Sequence, residues 1–303
     1  MDFLSLKFLI LYAFLGSVVY IHFRGRERLK FTRQLTDHST FMAPYNVLAY
    51  LFSAVPNRPV LTRERFPELQ LFQDHWEVIR DEALKLQDEE RIRRSEKYDD
   101  LAFNSFFKRG WKRFYLKWYG KCLPSAERLC PKTVELVRQV PTVKAAMFTQ
   151  LAPESRLVRH RDPFAGSLRY HLGLVTPNSD LCRIFIDGEP YAWKDGEDII
   201  FDETYVHRAE NQTTERRLIF FCDVERPMRF GLPAVINRLV GRLVVSGART
   251  RNEPGEKLGI FNRFFGLVYQ VRLQTKALKR WNHRVYYGLK YALLGLALYL
   301  LLA

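Results

Sequence analysis

Cysteine is scarce in this 303-residue chain, with only Cys122, Cys130, Cys182 and Cys222, and no two of them form a C-x-x-C pair. That spacing argues against a structural zinc knuckle, although it leaves Cys122 and Cys130 open as a pair. Acidic residues are also short: 33 Asp and Glu stand against 48 Lys and Arg, a net charge of +15. The excess calls for an anionic partner, and nucleic acid and anionic lipid both qualify on charge alone. The basic, aromatic stretch from Ala102 to Trp118 has the composition of a base-stacking surface, but no recognised nucleic-acid motif accompanies it. It reads as core aromatics with some anionic contacts, and no nucleic-acid partner is expected. A secretory leader is not expected, since Asp2 lies where a basic leader would and no small-residue cleavage site follows the first apolar run, so a retained anchor is expected instead.

That run, Phe3 to Ile21, approaches the ~20 residues needed to cross a bilayer as a helix. The basic residues after it, Arg24, Arg26, Arg28, Lys30 and Arg33, put the following chain on the cytoplasmic side. Tyr291 to Ala303 is free of charge, and counting back to Val285 gives a second stretch just long enough to span. The chain then divides into an anchor (1–22), a basic, proline-broken connection (23–65), a catalytic region (66–230), a basic amphipathic region (231–284) and a second anchor (285–303). In the fourth part, Ile260, Phe261, Phe264, Phe265, Val268 and Tyr269 recur at helical spacing, for a helix lying in the membrane interface or on the core. The run Asp88 to Asp100 reads as a solvated charged segment, and His75 as a structural residue on a helix face.

The middle of the chain is β in character. From Ser167 to Val175, Ser167, Arg169, His171 and Gly173 alternate with Leu168, Tyr170, Leu172 and Leu174, so one face is apolar and the other looks into something polar. Asp187-Gly188 between two short runs signals a hairpin. Roughly six to eight strands fit between Ala145 and Val224, which suits a small jelly roll.

Three residues there have ligand chemistry. His160 and Asp162 are two apart, so in a strand their side chains share a face. His207 must arrive from another strand. Two imidazoles and a carboxylate hold a first-row metal by one face and leave the opposite positions open, the arrangement of an oxygen-activating iron site.

With Phe66-Pro67-Glu68-Leu69, Gly110-Trp111, His171-Leu172-Gly173-Leu174, Ile200-Phe201-Asp202 and Arg217-Leu218-Ile219-Phe220, these residues stand in an order that resembles the aspartyl/asparaginyl β-hydroxylase family. With its apolar ends, the chain is most similar to the bacterial lipid A 2-hydroxylases of that family. The resemblance implies a mainly β catalytic core, a double-stranded β-helix (jelly roll, cupin-like), with flanking helices and membrane-anchoring helices at both termini. It implies iron(II) as cofactor, 2-oxoglutarate as cosubstrate and dioxygen as oxidant. His160, Asp162 and His207 match the iron-binding positions, although the eukaryotic members carry Gly at the position of Asp162. Arg217 matches the arginine that grips the far carboxylate of 2-oxoglutarate, Arg169 and His171 match the pair near its other end, and Thr149 and Trp111 help line the pocket. The implied reaction is 2-hydroxylation of a lipid A acyl chain at the cytoplasmic face of a bacterial inner membrane, with release of succinate and carbon dioxide. The partners are then a membrane lipid and an anionic membrane surface. A peptidyl aspartyl/asparaginyl β-hydroxylase shares these motifs, and a membrane-bound jelly-roll binding protein with a vestigial metal site is a third reading.

Overall fold

The computed structural model describes residues 5–34, 37–94, 100 and 103–302. An apolar helix α1 (Leu6–Phe23) leads into short helices α2 (Phe31–Gln34), α3 (His38–Phe41) and α4 (Ala43–Leu51). A two-residue strand β1 (Val60–Leu61) precedes helices α5 (Gln70–Asp74), α6 (Trp76–Asp88) and α7 (Asn104–Phe107). Strand β2 (Trp111–Trp118) and helices α8 (Pro124–Leu129) and α9 (Pro131–Gln139) follow. The β core comprises β3 (Val143–Leu151), β4 (Ser155–His160), β5 (Ser167–Val175), β6 (Cys182–Ile186), β7 (Glu189–Ala192), β8 (Asp198–Phe201), β9 (His207–Asn211) and β10 (Arg217–Glu225). Helices α10 (Gly231–Leu243), α11 (Ile260–Trp281) and α12 (His283–Leu302) close the chain.

The strands form two antiparallel sheets, a larger one ordered β1-β8-β5-β10-β3-β2 and a smaller one ordered β4-β9-β6-β7. From β3 to β10 the chain crosses repeatedly from one sheet to the other, the winding of a double-stranded β-helix. The eight strands in that stretch agree with the sequence expectation. Strand β5 lies between β8 and β10, so both its edges are paired, and the side chains on both its faces are buried up to Leu174. Its apolar face meets the helical layer, where the Tyr170 and Phe72 rings are 6.0 Å apart between centroids. Its other face looks between the sheets.

The hairpin at Asp187-Gly188 forms as expected, with φ of 52° and 97°. Both values lie in the left-handed region that a two-residue turn between strands of this twist requires. The Asp187 carboxylate also accepts the backbone N–H groups of Arg26 and Glu27 at 2.7 and 2.9 Å, so the turn clamps the segment leaving α1. His75 lies at the break between α5 and α6 rather than on a helix face, with Nδ1 2.9 Å from Leu71 O.

The basic run after α1 departs from expectation. Arg24 is buried, and its guanidinium meets Asp202 at 2.6 Å and lies between the Tyr50 and Tyr205 rings. Asp202 also pairs with the buried Arg226 at 2.8 Å. Burial makes a charged group seek a counter-ion, and Asp202 captures Arg24 across 178 positions of sequence. The end of α1 is therefore fastened to the barrel through Arg24, whereas Arg26, Arg28, Lys30 and Arg33 of the same run are exposed.

Among the described residues, Leu6–Phe23 is long and apolar enough to cross a membrane. In α11, Phe265 and Tyr269 are buried while Phe261 and Phe264 are exposed. The side chain of Val268 and residues 95–99 of the expected charged run lie outside the described residues. All four cysteines are buried and free.

Candidate metal centre and its pocket

His160 ends β4, His207 begins β9, and these strands are neighbours in the smaller sheet, which places the two residues directly opposite one another. Their ring centroids are 4.2 Å apart. Asp162 lies just beyond β4 rather than within it, and its backbone N–H is held by Glu203 O at 3.0 Å. One ligand atom each from His160, Asp162 and His207 can be chosen so that all three lie within 4.8 Å of one another. His160 and Asp162 are partly exposed and His207 is buried, so the group opens on one side.

Each imidazole is oriented by the chain itself. His160 Nδ1 donates to Val158 O at 2.7 Å, and His207 Nδ1 donates to Tyr205 O at 3.0 Å. A carbonyl only accepts, so both protons are fixed on Nδ1 and both Nε2 lone pairs remain free for a cation. Burial, with His160 adjacent, pulls the His207 pKa down to about 3. Burial also lowers that of His160, despite the opposing pull of Asp162. Both rings are therefore neutral near pH 7, as a metal ligand must be.

Asp162 takes its orientation from Arg169, whose Nη2 donates to Oδ2 at 2.9 Å. Arg169, expected beside the cosubstrate, is committed to protein carboxylates: it pairs with Asp223 at 2.9 Å, closely with Glu203, and stacks over the Phe221 ring at 3.8 Å. Burial would raise the Asp162 pKa, but the Arg169 guanidinium, together with smaller contributions from His207, His160 and a hydrogen bond with Glu203, outweighs it and holds the carboxyl well below its ordinary range. Burial pushes the Glu203 carboxyl well up, with Asp223 and Asp162 adding to the rise. Tyr119 and Ser167 complete the support, with the Tyr119 hydroxyl 3.0 Å from Ser167 Oγ and 3.1 Å from Asp223 Oδ2. Sequence reading assigned no role to Glu203, Asp223 or Tyr119. The signal for Asp223 was present, since a carboxylate inside the apolar run Leu218 to Val224 needs a buried partner.

Arg217, at the start of β10, lies at the far end of an aromatic path. Its guanidinium is 4.4 Å over the Trp193 ring, Trp193 packs on His171, His171 on Phe201, and Phe201 on His207. Arg217 is 2% exposed, yet no carboxylate pairs with it among the described residues, and its Nε and Nη2 have no hydrogen-bond partner. Burial lowers its pKa to about 10. Thr149 Oγ1 and His171 Nε2 are likewise buried without partners. Trp193 Nε1 donates to His171 Nδ1 at 3.4 Å, which leaves the ring proton on Nε2. Three buried side chains thus hold unused donors, and unsatisfied groups of this kind are costly unless a ligand meets them. An acceptor-rich, negatively charged molecule fits. Trp193, which carries Arg217, was not singled out from the sequence.

Trp111 is buried at the head of β2, stacked on Phe103 at 4.6 Å, and Phe106 beside it covers the edge of His160 at 4.8 Å. The aromatics of this stretch are core, as expected, and Arg113 within it is paired with Asp100 at 3.0 Å.

Residues 73–227, just over half of the chain, match the family model described as Aspartyl/Asparaginyl beta-hydroxylase. The chain is 36% identical over 120 residues to the ornithine lipid ester-linked acyl 2-hydroxylase of Rhizobium tropici, covering 39% of this chain and 43% of that protein. It is 30% identical over 171 residues to the human aspartyl/asparaginyl beta-hydroxylase, covering 53% of this chain and 22% of that one. These matches span less than half the length of the curated relatives. Among solved structures, a Pseudomonas putida prolyl-4-hydroxylase aligns with 51% of this chain and 87% of its own, at a TM-score of 0.34 and 15% identity. The extent of the family match, from α5 through the end of β10, makes this chain a member of the aspartyl/asparaginyl β-hydroxylase family.

Proposed function

We propose that this protein is an iron(II)- and 2-oxoglutarate-dependent hydroxylase that acts on the acyl chain of a membrane lipid, lipid A being the first candidate, at the cytoplasmic face of a bacterial inner membrane. The observation that carries the reading is Arg217, a buried guanidinium with no carboxylate of its own among the described residues, linked to the histidine pair by a series of packed rings. An arginine fork suits the far carboxylate of a diacid because it makes two charge-assisted contacts at once. His160, Asp162 and His207 would hold the metal, and Thr149 and His171 would meet the remaining acceptors of the cosubstrate. Iron(II) with 2-oxoglutarate and dioxygen, when bound, supplies the oxidising power to hydroxylate an unactivated carbon, with release of succinate and carbon dioxide. The protein's part is to keep both imidazoles neutral, to aim Asp162 through Arg169, and to enclose the cosubstrate away from water.

The lipid substrate is supported by the apolar helix α1 and by the relative named for an acyl 2-hydroxylase. Hydrogen abstraction needs its target carbon held close to the metal, which an anchored enzyme arranges for a molecule already in the bilayer. Helix α12 is proposed as the second anchor. Mass spectrometry of membrane lipids from cells with and without this chain tests the substrate, and gain of one oxygen on an acyl chain is expected. Unchanged acyl masses, with succinate still formed from 2-oxoglutarate, would move the activity to another substrate. No succinate with iron(II) and dioxygen supplied would remove the oxygenase reading itself.

A further inference from the structure

A cavity of about 160 Å³ lies behind the loop that runs from Asp162 to Ser167, between α10 and the ends of β2, β3 and β10. Four cationic side chains line it, Lys117, Lys144, Arg238 and Arg242, against one carboxylate, Glu225. Glu225 is already engaged by Lys144 at 2.7 Å and by Arg238 at 3.3 Å. Lys117 and Arg242 form no ion pair among the described residues. Lys117 is half-buried, and its burial, with the Lys144 ammonium nearby, lowers its pKa. A bound anion would relieve that crowding of positive charge. The space is well below that of a drug-sized pocket, so it suits a small anionic group rather than a whole metabolite.

The helix that supplies Arg238 and Arg242 turns a different face outward. Leu232, Val235, Ile236, Leu239 and Leu243 recur at helical spacing and are 44–71% exposed. An apolar stripe beside basic residues is the pattern of a helix that lies in the boundary between lipid headgroups and acyl chains. Its position fits. Tyr45 of α4 donates to Asn237 of α10 at 2.5 Å, and α4 packs on α1 through Ala49 and Tyr50 against Val18 and Ile21. Leu48 and Leu51 of α4 are exposed as well. We propose that the cavity binds the phosphate of an anionic membrane lipid, taken up as α10 seats its apolar stripe in the bilayer. The inference rests on the membrane-lipid reading above but not on the metal. The cavity also adjoins the metal's support, because its wall residue Tyr119 meets Asp223, which holds Arg169, which holds Asp162.

The test is calorimetric titration of the full chain, purified in uncharged detergent without iron, with dihexanoyl phosphatidylglycerol, dihexanoylglycerol and inorganic phosphate. Phosphatidylglycerol is expected to bind at least tenfold more tightly than either of the others. The doubly substituted Arg238→Ala/Arg242→Ala chain should lose at least tenfold in that affinity, as should Lys117→Met. Arg238→Lys/Arg242→Lys should retain most of it, and so should Lys85→Ala/Lys132→Ala, which removes two exposed charges elsewhere. Leu239→Asp should weaken the lipid and leave inorganic phosphate unaffected. Equal affinity for inorganic phosphate and phosphatidylglycerol would overturn the lipid assignment, and binding unchanged in the double variant would overturn the site. Because the readout is binding without turnover, its failure is separate from failure of the oxygenase reading, which succinate formation reports.

Discussion

Arg169 and Arg217 sit on adjacent strands of the larger sheet, both buried, and they are opposites in company. Arg169 has three carboxylates around it, Asp162, Glu203 and Asp223. Arg217 has an indole face and no anion among the described residues. A buried guanidinium surrounded by acids is part of the scaffold, and here it orients Asp162. One left without a counter-ion retains its full attraction for whatever negative group enters. The difference separates structural charge from binding charge within a single β core.

The comparison can be broken at several points. The largest effect is expected at the proposed metal site: His160→Ala or His207→Ala should abolish succinate formation while the chain still folds. Measurable turnover in either would detach the histidine pair from the chemistry. Next, Arg169→Met leaves carboxylates buried without their cation, a loss of about 3–5 kcal/mol for a broken buried pair. A markedly lower melting temperature and weaker iron binding should result, and an unchanged melt would show that Arg169 is dispensable to the scaffold. Arg217→Met should do the reverse, leaving the melt of the ligand-free protein unchanged or raised. It should weaken 2-oxoglutarate about ten- to a hundredfold, the equivalent of losing roughly 1.5–3 kcal/mol of charge-assisted bonding. Normal 2-oxoglutarate affinity in that variant would contradict the grip.

The smallest effect concerns a second pair of arginines, Arg24 and Arg226 on Asp202. Burial would raise the Asp202 pKa, but Arg226 and Arg24 outweigh it and hold the carboxyl well below its ordinary value. A depressed carboxyl contributes stability above its unfolded pKa and loses it as the pH falls. The melting temperature should therefore drop as pH is taken below about 4, and Arg24→Met should flatten that drop. An equal acid slope in the variant would mean that Arg24 contributes little to holding the charge.

Much of this was legible in the sequence. The alternation through Ser167 to Val175 revealed a strand with one polar face, Asp187-Gly188 marked its hairpin, and the order His160, Asp162, His207, Arg217 carried the ligand pattern. Those signals are local, or they depend on spacing that a β architecture constrains. What stayed hidden depends on tertiary partners. Arg24 and Arg26 look alike in a basic run, yet one is buried against Asp202 and the other lies exposed beside Glu189. Nothing in the chain order distinguishes Arg169 from Arg217 by the number of acids that will surround each. Asp162 was placed within a strand by its spacing from His160, whereas the strand ends two residues earlier, at His160, and a hydrogen bond to Glu203 holds it instead.

The junction between α1 and the barrel has a mechanical consequence. Arg161, the residue between the two ligands His160 and Asp162, reaches back to the carbonyls of Ile21 and Arg24, while Arg24 is gripped by Asp202. A catalytic head on a loose tether would sample every height above a bilayer. Were α1 seated in the membrane as proposed, this one would be held near one height, and the carbon reaching the proposed metal site would be selected by depth, as a fixed stop on a rail selects where a carriage halts.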